Sequence, residues 1–254
     1  KGLVQIPLTY RAWFGVMVLV LVLLAVIVVT GGMIVHWARK GRDIKPEVTV
    51  VRYEPPPGMK PAEVGMLIDE MPLTGDITAT IVDLAVRGKL VITQQEGGML
   101  KRKKFGFEKQ NVDMSDLDPF EVEVIDGLFA DGTVVTQDDL KNKFYVHVKD
   151  INRELKEQVL AKGFWQGDPA RIKGRYSRIA VVFLLLIAPV VFAHSWIDLG
   201  YLWVLVPGLA VCGLVIYIVG RFMPRRSAEG AEMYDYVLGF KEYLSTAERE
   251  EMAL

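Results

Sequence analysis

The chain has 254 residues, 30 Lys and Arg against 31 Asp and Glu, a net charge of −1 and a hydrophobic content of 51 %. So even a balance leaves no whole-chain field to gather nucleic acid or acidic substrates. The single cysteine, Cys212, sits in an apolar run; it excludes an intrachain disulfide or a cysteine metal cluster and reads as a small packing residue.

From Ala12 to Val35 no residue is charged and none is Asn or Gln, and the run meets Trp37-Ala38-Arg39-Lys40-Gly41-Arg42. A helix rises about 1.5 Å per residue and needs about 20 apolar residues to cross a bilayer, so residues 12–37 are expected to span it. Lys and Arg beside a span stay in the cytoplasm, which places Arg39, Lys40 and Arg42 inside and residues 1–11 outside. The chain starts with Lys1 rather than Met, so residues 1–11 are expected to close a longer extracytoplasmic amino-terminal region. A signal peptide would have a shorter apolar core followed by small residues.

Two further apolar runs, 178–197 and 199–221, read as a membrane hairpin with His194, Ser195 and Asp198 at its outer tip. Arg171, Lys173, Arg175 and Arg178 precede it, and Arg221, Arg225 and Arg226 follow it. Both open ends are therefore expected in the cytoplasm, in agreement with the first span. Trp13, Trp37, Tyr176, Trp196, Tyr201 and Trp203 fall near the expected interfaces. Pro189 and Pro207-Gly208 should kink the hairpin helices or admit close packing. No ionisable residue lies deep in a span, which disfavours a transporter or channel.

Residues 38–60 read as a linker, with extended Val48-Thr49-Val50-Val51 and stiff Pro55-Pro56-Pro57-Gly58. Residues 61–110 form a first winged-helix-like unit. Pro61 opens a short helix, and Asp76 caps a second whose Ile77, Ile81, Leu84 and Ala85 share one face. Gly88 is its left-handed stop, and Leu90-Val91-Ile92-Thr93, a Gly97-Gly98 turn and residues 99–107 make a hairpin. Residues 111–170 form a second such unit. Asp118-Pro119-Phe120 starts a helix ended by Gly132, and Val134-Val135 is a short strand. Thr136 and Asp139 cap a turn, residues 143–161 are a long amphipathic helix, and Gly163-Phe164-Trp165 is a closing strand. About 50 residues per unit is marginal, so the two are expected to share an interface. The tail, 227–254, reads as an amphipathic helix with Met233, Val237, Phe240 and Leu244 on one face, free to lie on the membrane, on the cytoplasmic domain or on a partner. The fold class is thus an α-helical membrane protein with three transmembrane helices and an α+β cytoplasmic tandem winged-helix-like domain.

The series Tyr53-Glu54-Pro55-Pro56, Pro61-Ala62-Glu63-Val64-Gly65 and Asp76-Ile77-Thr78-Ala79-Thr80-Ile81-Val82-Asp83-Leu84-Ala85-Val86-Arg87-Gly88, followed by an apolar strand, resembles the YciQ-like predicted bacterial membrane proteins, domain of unknown function 2207. Glu229-Gly230-Ala231-Glu232 and Gly239-Phe240-Lys241-Glu242-Tyr243-Leu244 match that family's carboxy-terminal motif. The resemblance runs from Ala12 to Leu254. It implies an extracytoplasmic β-rich domain before the first span and a LemA-like membrane protein as a partner, but no established activity.

The basic run Lys101-Arg102-Lys103-Lys104 reads as a solvated hairpin tip, a contact for anionic lipid headgroups, or a nucleic-acid contact. The candidate recognition helix 76–87 offers Asp76 and Asp83 against Arg87 alone, which disfavours DNA. His36, His147 and His194 fall in different elements, so neither a metal site nor a triad is expected, and no phosphate loop or nucleophile elbow occurs. The expectation is a non-enzymatic, cofactor-free scaffold or signalling adaptor of the bacterial inner membrane, binding lipids and a membrane or cytoplasmic protein, homo-oligomeric or not. The alternative is a membrane-tethered DNA-binding regulator; an oligomeric channel ranks third.

Overall fold

The computed structural model describes residues 8–43, 50–95, 104–141, 143–196 and 200–251. They divide into two units, one made of residues up to 44 with 165–226, the other of 45–164 with 227–254.

In the first unit α1 (Leu8–Lys40) carries the long apolar run. Arg39 and Lys40 occupy its last turn, where cations complement the exposed carbonyls. The second run lies on α7 (Pro169–Leu185) and α8 (Ile187–Trp196). Asp168 caps α7, its carboxylate accepting from Ala170 N at 2.9 Å, and Pro169 takes the first turn, where its missing N–H costs nothing. This cap starts the helix well ahead of the apolar run, so Arg171, Lys173, Arg175 and Arg178 ride on α7 itself. The break at Leu186, three residues before Pro189, is the expected effect of a proline ring on the preceding turn. A 3₁₀ turn (Gly200–Val204) leads into α9 (Leu205–Arg221), which packs on both α1 and α7. Among the described residues three helices, Trp13–Lys40, Pro169–His194 and Leu202–Arg221, are long and apolar enough to cross a membrane. Trp13, Val20, Ile27 and Val28 on α1 are each more than half exposed, a surface suited to lipid rather than water. The expected hairpin tip at Asp198 lies outside the described residues.

In the second unit α2 (Pro61–Asp69) and α3 (Thr74–Val86) lead into β1 (Leu90–Gln95) and β2 (Lys104–Lys109), paired antiparallel with Ile92 opposite Phe107. The Gly97-Gly98 turn is outside the described residues. Gly88, at φ +72°, ends α3 in the left-handed conformation that a side chain disfavours. Helix α4 (Pro119–Leu128), β3 (Val134–Thr136), the short α5 (Gln137–Leu140) and α6 (Tyr145–Ala161) follow. Strand β3 adds to β2, completing a three-stranded sheet of order β1-β2-β3. One apolar cluster serves the whole: Ile77 and Leu84 of α3, Leu90 of β1, Val124, Ile125 and Leu128 of α4, Val135 of β3 and Ile151 of α6. Residues on both sides of position 110 therefore share a single core.

Two local expectations change. Asp76 is not the first cap of α3, which begins at Thr74; it sits one turn in and accepts from Leu73 N at 2.7 Å. Gly163-Phe164-Trp165 does not join the sheet, whose three strands are β1, β2 and β3; Trp165 forms an isolated bridge with Arg226. Ser227 N donates to Phe164 O at 3.0 Å. Helix α10 (Ala228–Glu251) packs within this unit. Val237 is buried, Tyr53 meets Tyr243 edge-on at 5.1 Å, and the Arg52 guanidinium stands 4.8 Å above the Tyr236 ring. Residues 50–53 thus form a strap on α10 rather than a free linker. Met233 and Phe240 are half-buried, while Leu244 is exposed.

Candidate functional site

Two segments of the second unit begin helices in the same way. Lys60-Pro61-Ala62-Glu63 and Asp118-Pro119-Phe120-Glu121 each place Pro first and Glu third in the helix. Each glutamate turns back to accept the N–H before the proline, Lys60 N to Glu63 at 2.8 Å and Asp118 N to Glu121 at 2.9 Å. A carboxylate there also faces the positive end of the helix dipole. Both side chains are fully buried, and an ionised carboxylate without partners there would be very costly.

The partners come from four elements. Glu121 is bound by Lys60 and by Arg87, which also pairs with Asp83 at 2.9 Å. Glu63 accepts from Lys162 at 2.7 Å and from Gln158 at 2.9 Å. Gln158 donates in addition to Asp118 at 2.8 Å, and Lys60 closes the ring by pairing with Asp118 at 2.7 Å. Burial alone would lower the Lys60 pKa, but Asp118 and Glu121 outweigh it and raise it. Asp118 is lowered: burial pushes it up, and the hydrogen bonds from Lys60 and Gln158 with the charges of Lys60 and Lys162 push it further down. Every carboxylate in this cluster is engaged by donors. Chemically the cluster is a clamp joining α2, α3, α4 and α6. Sequence reasoning assigned Arg87 to a recognition surface, gave Glu63 no role and read Glu121 as a helix-start carboxylate facing the dipole; the repeated x-Pro-x-Glu was the available signal for joining them.

The other singled-out residues scatter. Lys101, Arg102 and Lys103 lie outside the described residues, and Lys104 pairs with Asp138. Arg226 is buried and binds Asp43 through its guanidinium at 2.8 Å and its backbone N–H at 2.7 Å, so it locks a chain crossing rather than standing in solvent. Arg171 meets Asp168 at 3.2 Å, Arg178 meets Gly174 O at 3.4 Å and Arg221 lies on Tyr217. Arg42 is exposed and Lys173 is engaged. Among the described cations singled out, Arg39, Lys40, Arg175 and Arg225 converge, around one cavity of the first unit.

The outer face of α3 completes the picture. Thr78, Val82 and Val86 are exposed, Val86 at 82 %, with Gly75 and Ala79 beside them in a shallow apolar groove. The groove is lined by no cation; its one charged residue is Asp83, which pairs with Arg87, itself bound to Glu121.

A family model described as the C-terminal domain of the predicted membrane protein DUF2207 matches residues 50–254, which include the clamp, the α3 face, the hairpin and α10. The chain belongs to this family. No curated protein and no solved structure matches it. In this DUF2207 chain the resemblance motifs acquire physical roles. Pro61-Ala62-Glu63 supplies one arm of the clamp. Gly65 leaves room for Asp76, because a Cβ there would stand 1.9 Å from its carboxylate oxygen. Gly239 likewise lets Val50 O approach α10.

Proposed function

We propose that this DUF2207 member is a non-enzymatic scaffold or signalling adaptor of the bacterial inner membrane, with residues 38–178 and the carboxy terminus in the cytoplasm. Its second unit, read as a winged-helix-like module from the order α2, α3, β1, β2 with β3 on the sheet, docks a membrane or cytoplasmic protein. A LemA-like protein is the partner that the family resemblance suggests. The observation that carries this reading is the α3 face. Its exposed residues are apolar or hydroxylic, the chemistry of a protein interface core, whereas a phosphate-reading helix needs cations. Engagement of Arg87 and Lys104 by carboxylates weighs against the DNA-binding alternative.

The test is purification from native membranes. The wild-type chain should carry a stoichiometric protein partner, and Val82→Asp with Val86→Asp should lose it at unchanged abundance and helicity. Recovery of the wild-type chain alone would sink the reading. Protease added outside intact cells should spare residues 60–165; cleavage there would overturn the sidedness.

A further inference from the structure

Two helix faces of the first unit look onto a cavity of about 860 Å³. On α1 the lining runs Gly32, His36, Lys40, positions four apart and hence stacked on one face, with Arg39 beside them. On α7 it includes Arg175, Tyr176 and Ile179, again one face. Arg225, just past α9, closes the wall.

The polarity of this lining is ordered. Gly32, Met33 and Ile179 belong to the apolar, membrane-crossing runs, whereas Arg39, Lys40, Arg175 and Arg225 gather at the other end. No Asp or Glu lines the cavity. Elsewhere in the unit Arg226 has Asp43 and Arg171 has Asp168, while Arg178 and Arg221 meet a carbonyl and a tyrosine. Among the described residues these four have no ion pair. The Nε of Arg225 is buried without a hydrogen-bond partner, a costly state for a guanidinium. Arg39, Lys40 and Arg175 are exposed and their mutual repulsion is screened by water, but an anion among the four would turn that residual repulsion into attraction.

The frame is rigid enough to hold such an anion. His36 Nε2 and Tyr176 Oη are 2.9 Å apart across the α1–α7 gap. Tyr176 is pressed against Gly220 of α9, where a Cβ would stand only 2.3 Å from the tyrosine Cβ. The three helix ends are thereby fixed around the cavity.

We propose that this cavity binds a phosphate group, presented as the headgroup of an anionic phospholipid. The cations would surround the phosphate oxygens, Arg225 Nε–H would gain its missing acceptor, and the start of an acyl chain would lie along Gly32, Met33 and Ile179. Arginine suits this task because its fork matches phosphate oxygens in pairs, and basic pockets between membrane helices are a recognised lodging for such headgroups.

Native mass spectrometry of the full chain in detergent tests this, with phosphatidylglycerol, phosphatidylcholine and inorganic phosphate as probes. The wild type should retain phosphatidylglycerol in preference to phosphatidylcholine. Arg39 and Arg175 are exposed, so Arg39→Gln with Arg175→Gln should leave the fold intact and weaken phosphatidylglycerol binding roughly 25-fold, about fivefold per cation. Arg171→Gln with Arg178→Gln removes the same total charge, both from α7 and both outside the cavity, and should change binding less than twofold. Saturable inorganic phosphate binding, lost in the Arg39/Arg175 variant and unaffected by lipid, would keep the phosphate site and assign it to a free ion. Equal loss in both double variants, or none in either, would overturn the site. Far-UV circular dichroism of each variant separates lost binding from lost structure.

Discussion

Glu121→Ala probes the clamp most directly. The side chain is 0 % exposed and accepts from Asp118 N, Lys60 and Arg87, so alanine removes a helix cap and a doubly paired buried charge together. Breaking a buried pair costs about 3–5 kcal/mol, and losing a cap about 1 kcal/mol. Lys60 and Arg87 are each 27 % exposed and can turn towards water, which favours the lower end, about 3–4 kcal/mol in total. At about 1.4 kcal/mol per decade this is a 10²–10³-fold fall in the hydrogen-exchange protection of α4 amides from Val124 to Leu128, read by mass spectrometry on the full chain in detergent. Asp150→Ala, which removes only an exposed partner of Arg153, should change the same amides less than threefold. Protection within threefold of wild type in Glu121→Ala would refute the clamp as the determinant of stability.

Gly65→Ala should destabilise the α2–α3 pair by about 1–3 kcal/mol, since Asp76 is tied to Leu73 N and cannot retreat freely from the new methyl. Exchange of the α2 amides reads this, and wild-type protection would count against it. The clamp also sets a pH window. The pKa of Asp118 is lowered on folding, so its contribution is present above about pH 4 and fades as pH falls through the folded value. The pKa of Lys60 is raised, so its contribution is present below about pH 10 and fades as pH rises through the folded value. Asp76 is raised by burial and opposes Asp118, favouring the folded state at low pH and losing that contribution as pH rises through its folded pKa. In melting curves against pH, Asp118→Asn should flatten the acid limb and Asp76→Asn should steepen it; unchanged limbs in both would contradict the assignment.

What the sequence by itself determined is whatever depends on neighbours along the chain. A long uncharged run, a proline after a polar cap and a glycine after an apolar helix act within a few residues, so α1, the start of α2 and the stop at Gly88 were legible. The tertiary structure alone decided which distant residues met. That β3 would complete the sheet of β1 and β2, that Glu121 would draw Arg87 away from the surface of α3, and that four of the membrane-flanking cations would surround one hollow are consequences of three-dimensional packing. A buried charge must find its opposite wherever the fold supplies it, and sequence spacing carries no record of a partner such as Lys162, far along the chain from Glu63.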